Sequence, residues 1–136
     1  MPVIVEPRYD IADIEADLLR VYADYPGQDA AQCLAGIRRA LAADGVFYAG
    51  IFNGKPVAGA LVTGPADARR IGLIAVRTVT RGRGIALRLV DEIGRLEQRT
   101  GASALEVPAG SDAAAVLSRL GFAALPGGVL RKPLAG

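Results

Sequence analysis

The chain has 136 residues, 51% of them apolar, with 16 basic and 14 acidic side chains and a formal charge of +2. That length suits one domain with one core, and no apolar run approaches the roughly 18 residues that a membrane span needs. Histidine is absent, which removes imidazole ligands and imidazole acid–base chemistry, and the lone Cys33 excludes an internal disulfide framework.

Val3 to Glu6 reads as a first strand, ahead of a helix from Asp10 to Ala23 whose Ile11, Ile14, Leu18, Val21 and Tyr22 recur at helical spacing. Pro26-Gly27 breaks that helix. Asp29 is placed to cap a second one through about Ala43, with Leu34, Ile37 and Leu41 inward and Cys33 beside them as a small core residue. Val46 to Phe52 and Pro56 to Thr63 predict two strands joined by Asn53-Gly54, the strongest short hairpin signal in the chain. A third strand of this group, about Arg70 to Val76, follows the Gly64-Pro65 loop. A long helix from about Gly84 to Thr100 presents Ile85, Leu89, Ile93 and Leu96 on one face and stops at Gly101. Ala104 to Val107 predicts a short central strand, and Ser111 caps a last helix through Leu120. A hairpin of Ala123 to Pro126 with Val129 to Pro133 turns at Gly127-Gly128. No linker, repeat or low-complexity stretch interrupts this order, which predicts one domain over 1–136. The opening residues lack a basic segment ahead of an apolar one, so a cytoplasmic protein without a secretory signal is expected.

Charge is spread unevenly. Through Asp24 the chain carries six acids against Arg8 and Arg20, whereas Arg69 to Arg88 holds six arginines and no acid. A nucleic-acid binder is one reading of that run, but the segment has no aromatic side chain to stack on a base and the chain has no tryptophan. An anionic small molecule or a protein partner suits it better. Within the run, Arg81-Gly82-Arg83-Gly84-Ile85-Ala86 joins an apolar strand to a helix N-terminus. Such a turn offers backbone N–H groups and the positive end of a helix dipole to a phosphate, with forked guanidinium donors at its rim. A solvated basic turn is the plain alternative.

The Arg-x-x-Gly-x-Ala pattern at 81–86, with Leu120-Gly121-Phe122 downstream, resembles the GNAT (Gcn5-related N-acetyltransferase) superfamily. The resemblance implies an α/β (α+β) fold, with a mixed, mostly antiparallel sheet flanked by helices, and acetyl-CoA as cofactor. It further implies that the pantetheine arm lies along the backbone of Ile74, Ala75 and Val76. Arg81, Gly82, Arg83, Gly84, Ile85 and Ala86 then take the pyrophosphate. Many catalytic members carry a proton-donating Tyr four residues before the Gly of Leu-Gly-Phe, and here that position is Leu117. The helix start, often Asn in the family, is Ser111. Glu106 is left as a weak candidate base, with an outward, solvated strand residue as the alternative.

A narrower resemblance rests on Phe47-Tyr48-Ala49 leading to Phe52-Asn53, on Val76-Arg77 with Val79-Thr80-Arg81, and on Gly127-Gly128. These are similar to the PanZ/PanM family, acetyl-CoA-dependent factors that promote maturation of aspartate α-decarboxylase proenzyme and regulate the enzyme in pantothenate synthesis. By this resemblance Asn53 and Arg77 contact the partner, although Asn53 also suits its turn and Arg77 could serve a CoA phosphate. Ile51 stands where an Arg is expected from that family. The sequence thus leaves a regulatory acetyl-CoA-binding protein and an active N-acetyltransferase in competition, with a nucleic-acid binder third. No metal is expected.

Overall fold

The computed structural model describes residues 3–77, 84–108, 117–118 and 120–134. The strands are β1 (Ile4–Arg8), β2 (Val46–Phe52), β3 (Lys55–Thr63), β4 (Arg69–Val76), β5 (Ala104–Pro108), β6 (Ala123–Leu125) and β7 (Val129–Pro133). They form one sheet in the order β1-β2-β3-β4-β5-β7-β6. All neighbours are antiparallel except β4 and β5. Helices α1 (Glu15–Val21), α2 (Ala30–Leu41) and α3 (Ile85–Arg99) complete the described elements. No helix among the described residues is long and apolar enough to cross a membrane.

Alternation along the strands divides the interior into two cores. On one face Tyr48, Ala58, Ala60, Val62, Ile71, Leu105 and Val107 pack with Ile85, Leu89 and Ile93 of α3. Leu89 and Ile93 are fully buried, each worth about 1.5–3 kcal/mol relative to exposure. On the other face Phe47 and Ala49 meet Leu18 and Val21 of α1, Tyr22 at its C-cap, and Cys33, Leu34 and Ile37 of α2. Cys33 is buried, and burial raises its thiol above the ordinary range, as a packing residue should show.

The local signals place most ends. Asn53 (φ 52°) and Gly54 (φ 76°) both take the positive φ of a tight β2–β3 hairpin turn. Asp29 accepts from the Gln32 N–H at 2.8 Å while the Gln32 side chain accepts from the Asp29 N–H at 2.9 Å, a complete capping box on α2. At the end of α3, Ala102 N–H reaches the Glu97 carbonyl and Gly101 N–H the Gln98 carbonyl. This is a Schellman closure, with Gly101 at φ 99°.

Several boundaries differ from the sequence reading by one or two residues, and the first strand and first helix have clear reasons. The first strand runs over Ile4–Arg8 rather than 3–6, because its ladder to β2 continues through Pro7↔Tyr48 and Arg8↔Phe47. Pro7 is tolerated there since β1 is a sheet edge. The expected helix over 10–23 is shorter and begins as a 3-10 turn at Ala12–Ile14. Asp10 Oδ1 takes the Ala12 N–H at 2.9 Å and Ile14 N–H bonds the Ile11 carbonyl three residues back, so the tighter pitch delivers both isoleucines to the core. The last expected helix lies mostly outside the described residues. Leu117 and Ser118 are helical, and Phe122 N–H to the Leu117 carbonyl with Gly121 N–H to the Ser118 carbonyl closes it.

Candidate functional site

Parallel strands β4 and β5 pair only at Arg69↔Leu105 and Arg70↔Glu106. Among the described residues no pairing with β5 follows Arg70, so the strands part and the β4 edge from Ile71 to Val76 opens toward a wedge. On its other side β4 stays in register with β3 as far as Ala58↔Val76, and Arg77 N–H donates to the Val57 carbonyl at 2.8 Å. Since N–H directions alternate along a strand, Ala75 faces β3 like Arg77, while Val76 faces the wedge.

Helix α3 runs back along the sheet. Its C-terminal Glu97 meets Arg69 at the start of β4, which places its N-terminus at the end where β4 finishes. There Gly84 is the N-cap at φ 72° and ψ 16°, its carbonyl accepting the Arg88 N–H at 3.1 Å. A Cβ on Gly84 would find no atom of the described residues within 4 Å. The first N–H groups of α3, from Ile85 onward, have no partner within the helix, and its first turn carries no acid. The Ile85 side chain is core and Ala86 is half-buried, so these two can serve a ligand only through backbone N–H groups. Arg81, Gly82, Arg83 and Ser111 lie outside the described residues.

The structure therefore gathers Ile74, Ala75, Val76, Arg77, Gly84, Ile85 and Ala86 at one pole of the sheet. Asn53 joins them at the tip of the adjoining hairpin. Glu106 stands apart, at the vertex of the wedge. It lies across the sheet from Arg70 and Arg131, and its Oε2 accepts from Arg131 Nη1 at 3.4 Å. Its side chain is 16% exposed, so it is an ion-paired residue rather than a solvated one. Leu117 is 1% exposed and packed in the α3-side core. No proton donor stands at that position.

Two features escaped the sequence reading. Leu73 adopts φ 49° inside β4 with its carbonyl accepting from the Tyr22 hydroxyl at 2.6 Å. Nothing in an apolar run signals such a residue. The second lies at the opposite pole, where Glu97, 3% exposed, accepts from the Tyr48 hydroxyl and from Arg69 Nε at 2.8 Å. Arg69 Nη1 also donates to the Gly64 carbonyl at 2.6 Å. Burial and the neighbouring carboxylate push the Tyr48 hydroxyl well above the usual phenol range. A cavity of about 280 Å³, with Tyr9 and Thr100 among its lining residues, adjoins this trio. Glu97 follows Ile93 by four residues on the apolar face, which is the one trace it leaves in sequence. All three groups satisfy one another, so the trio anchors the end of α3 to the sheet.

Comparisons with known proteins agree with this architecture. No curated protein sequence matches the chain. Among solved structures, the GNAT family N-acetyltransferase YhbS from Escherichia coli in complex with CoA aligns with a TM-score of 0.76 at 18% identity, over 98% of this chain and 82% of that one. The ribosomal-protein-S18-alanine N-acetyltransferase from Escherichia coli gives 0.74 at 14%, over 98% and 96%. An aminoglycoside 6'-N-acetyltransferase complexed with coenzyme A gives 0.77 at 11%, over 100% and 98%. The TM-scores show a shared fold. The family model described as acetyltransferase (GNAT) domain, PanZ, matches residues 9–121, and the chain accordingly belongs to the PanZ family of GNAT domains.

Proposed function

We propose that this protein binds acetyl-CoA in the β4–β5 wedge and, in that form, acts on aspartate α-decarboxylase proenzyme as a maturation and regulatory partner. The observation that carries the reading is the combination of an open β4 edge with an apolar, buried Leu117 where catalytic relatives place their acid. The residues present fit such a ligand. Backbone groups of Ile74, Ala75 and Val76 hold the pantetheine arm as an added strand would be held. Gly84, Ile85 and Ala86 take the pyrophosphate on backbone N–H groups, with Arg81, Gly82 and Arg83 completing the turn. When bound, acetyl-CoA supplies an activated thioester. The chain's residues position it and shield it, while Leu117 supplies no acid to a departing thiolate. Asn53 and Arg77, at the same pole, contact the partner. One domain, located in the cytoplasm, completes the proposal.

Glu106 at the wedge vertex favours a second reading, an active N-acetyltransferase in which it accepts the proton of an attacking amine. The two readings separate in one preparation. With acetyl-CoA present, the protein should accelerate proenzyme self-cleavage, and Asn53→Ala and Arg77→Ala should weaken that effect while leaving acetyl-CoA affinity nearly intact. Robust acetylation of an amine, lost in Glu106→Gln and accompanied by no decarboxylase binding, would establish the acetyltransferase instead.

A further inference from the structure

At the pole opposite the wedge, the chain just past β1, the start of β2, the β3–β4 loop and the last turn of α3 line a cavity of about 280 Å³. Small residues leave this room: Gly64 and Ala66 on the loop, and Ala102 just past α3. At about 30 Å³ per water it has space for about nine waters, or for one planar ring with a substituent.

The polar groups of its wall are unevenly engaged. Both Glu97 carboxylate oxygens are taken, Oε1 by Arg69 Nε and Oε2 by the Tyr48 hydroxyl. Arg69 commits Nε to Glu97 and Nη1 to the Gly64 carbonyl, and no acceptor for its Nη2 is found among the described residues. No buried side-chain nitrogen among them lacks a partner, so Nη2 is accessible, and the cavity is the opening that Arg69 lines. Thr100 gives its hydroxyl proton to the Glu97 carbonyl at 2.9 Å, which leaves the lone pairs of Oγ1 as acceptors. At the mouth Tyr9 is 67% exposed and presents a flat ring.

These features select a ligand by charge as well as by shape. The Arg69–Glu97 pair cancels, so a full charge of either sign is left uncompensated. A carboxylate would meet Glu97 and a cation would meet Arg69, each after giving up its water. A neutral ligand needs an oxygen to accept from Nη2 and an N–H to donate to Thr100 Oγ1, and a carboxamide carries both on one planar group. We propose that this cavity is a second ligand site, for a small planar ring bearing a neutral carboxamide and stacked on Tyr9. It lies at the far end of α3 from the phosphate turn, and it stands independently of the acyl-CoA reading.

Benzamide, benzoate and benzamidine share one shape and differ in charge, so titrating each while following the backbone amides by NMR tests this. Benzamide should shift amides around Tyr9, Val46 and Thr100 saturably, with a dissociation constant of about 1 mM. Benzoate and benzamidine should bind at least about tenfold more weakly, since each brings a charge that finds no counterpart. Tyr9→Ala removes the stacking face and Thr100→Val the acceptor, and both residues are exposed, so the fold tolerates either change. Each should weaken benzamide by about 2- to 12-fold, the worth of one aromatic contact or one neutral hydrogen bond. Shifts that are scattered over the surface and never saturate overturn the site. Benzoate or benzamidine binding as tightly as benzamide overturns the charge argument, and unchanged affinity in either variant overturns the placement.

Discussion

Replacing Arg69 with Met should be among the most damaging single changes far from the wedge. The Arg69 side chain is 11% exposed and that of Glu97 4%, with Nε to Oε1 at 2.8 Å. Removing the guanidinium strands the carboxylate in the interior on the Tyr48 hydroxyl alone and deprives the Gly64 carbonyl of its donor. Breaking a buried pair in this way costs about 3–5 kcal/mol, a large part of the roughly 5–15 kcal/mol that typically separates native from unfolded chains. For 136 residues, an unfolding entropy of about 2.1 cal/mol/K per residue converts that loss into a Tm decrease of about 10–17 °C. Differential scanning calorimetry reads it directly. The double variant Arg69→Met/Glu97→Leu removes the stranded charge and should recover part of the loss, because two apolar groups tolerate each other where one lone charge does not. A Tm decrease below about 3 °C in the single variant, or a double variant less stable than the single one, would refute the placement of this pair in a dry interior.

Further predictions concern alkali and packing. Burial raises the Tyr22 and Tyr48 hydroxyls above the ordinary 10.0, with Glu97 adding to the rise at Tyr48. A folded-state value above the unfolded one means that stability is complete below the unfolded value and is lost as pH climbs past it. Urea titrations should thus show stability falling above about pH 10, by about 1.4 kcal/mol per pH unit for each tyrosine. Tyr48→Phe should flatten that slope by one proton. Gly59→Ala should destabilise by about 1–3 kcal/mol through overpacking against the buried Phe47 ring; equal urea midpoints for variant and wild type would contradict the close approach at residue 59.

Where a local signal and the tertiary demand coincide, the sequence is legible. Asn53-Gly54 specifies a turn by backbone preference alone, Asp29 with Gln32 closes a capping box within four residues, and Ile85, Leu89 and Ile93 recur at the helical period because one face must be buried. The superfamily pattern at 81–86 and Leu120-Gly121-Phe122 likewise sits in short contiguous stretches. What stayed hidden depends on partners far apart in the chain. Leu73 takes its conformation from a hydroxyl 51 residues away, and no property of Leu-Ile-Ala foretells it. Glu106 looks like an outward strand residue until β7 brings Arg131 across from it. Arg69 and Glu97 are 28 residues apart and meet only once α3 has folded back over the sheet. The shortened first helix has a more local setting: Asp10 caps the Ala12 N–H and the chain enters through a 3-10 turn at Ala12–Ile14.

The central claim, a CoA-binding turn at the N-terminus of α3 beside an open β4 edge, is tested most directly by titrating acetyl-CoA into wild type and Gly84→Val. Gly84 holds φ 72°, and no atom of the described residues lies within 4 Å of an added Cβ, so a valine there takes up a conformation it resists and fills the room a pyrophosphate needs. Saturable binding to wild type, weakened about 10- to 100-fold in Gly84→Val as expected for losing contacts to a charged group, is the predicted result. Equal affinity in the two proteins would contradict it.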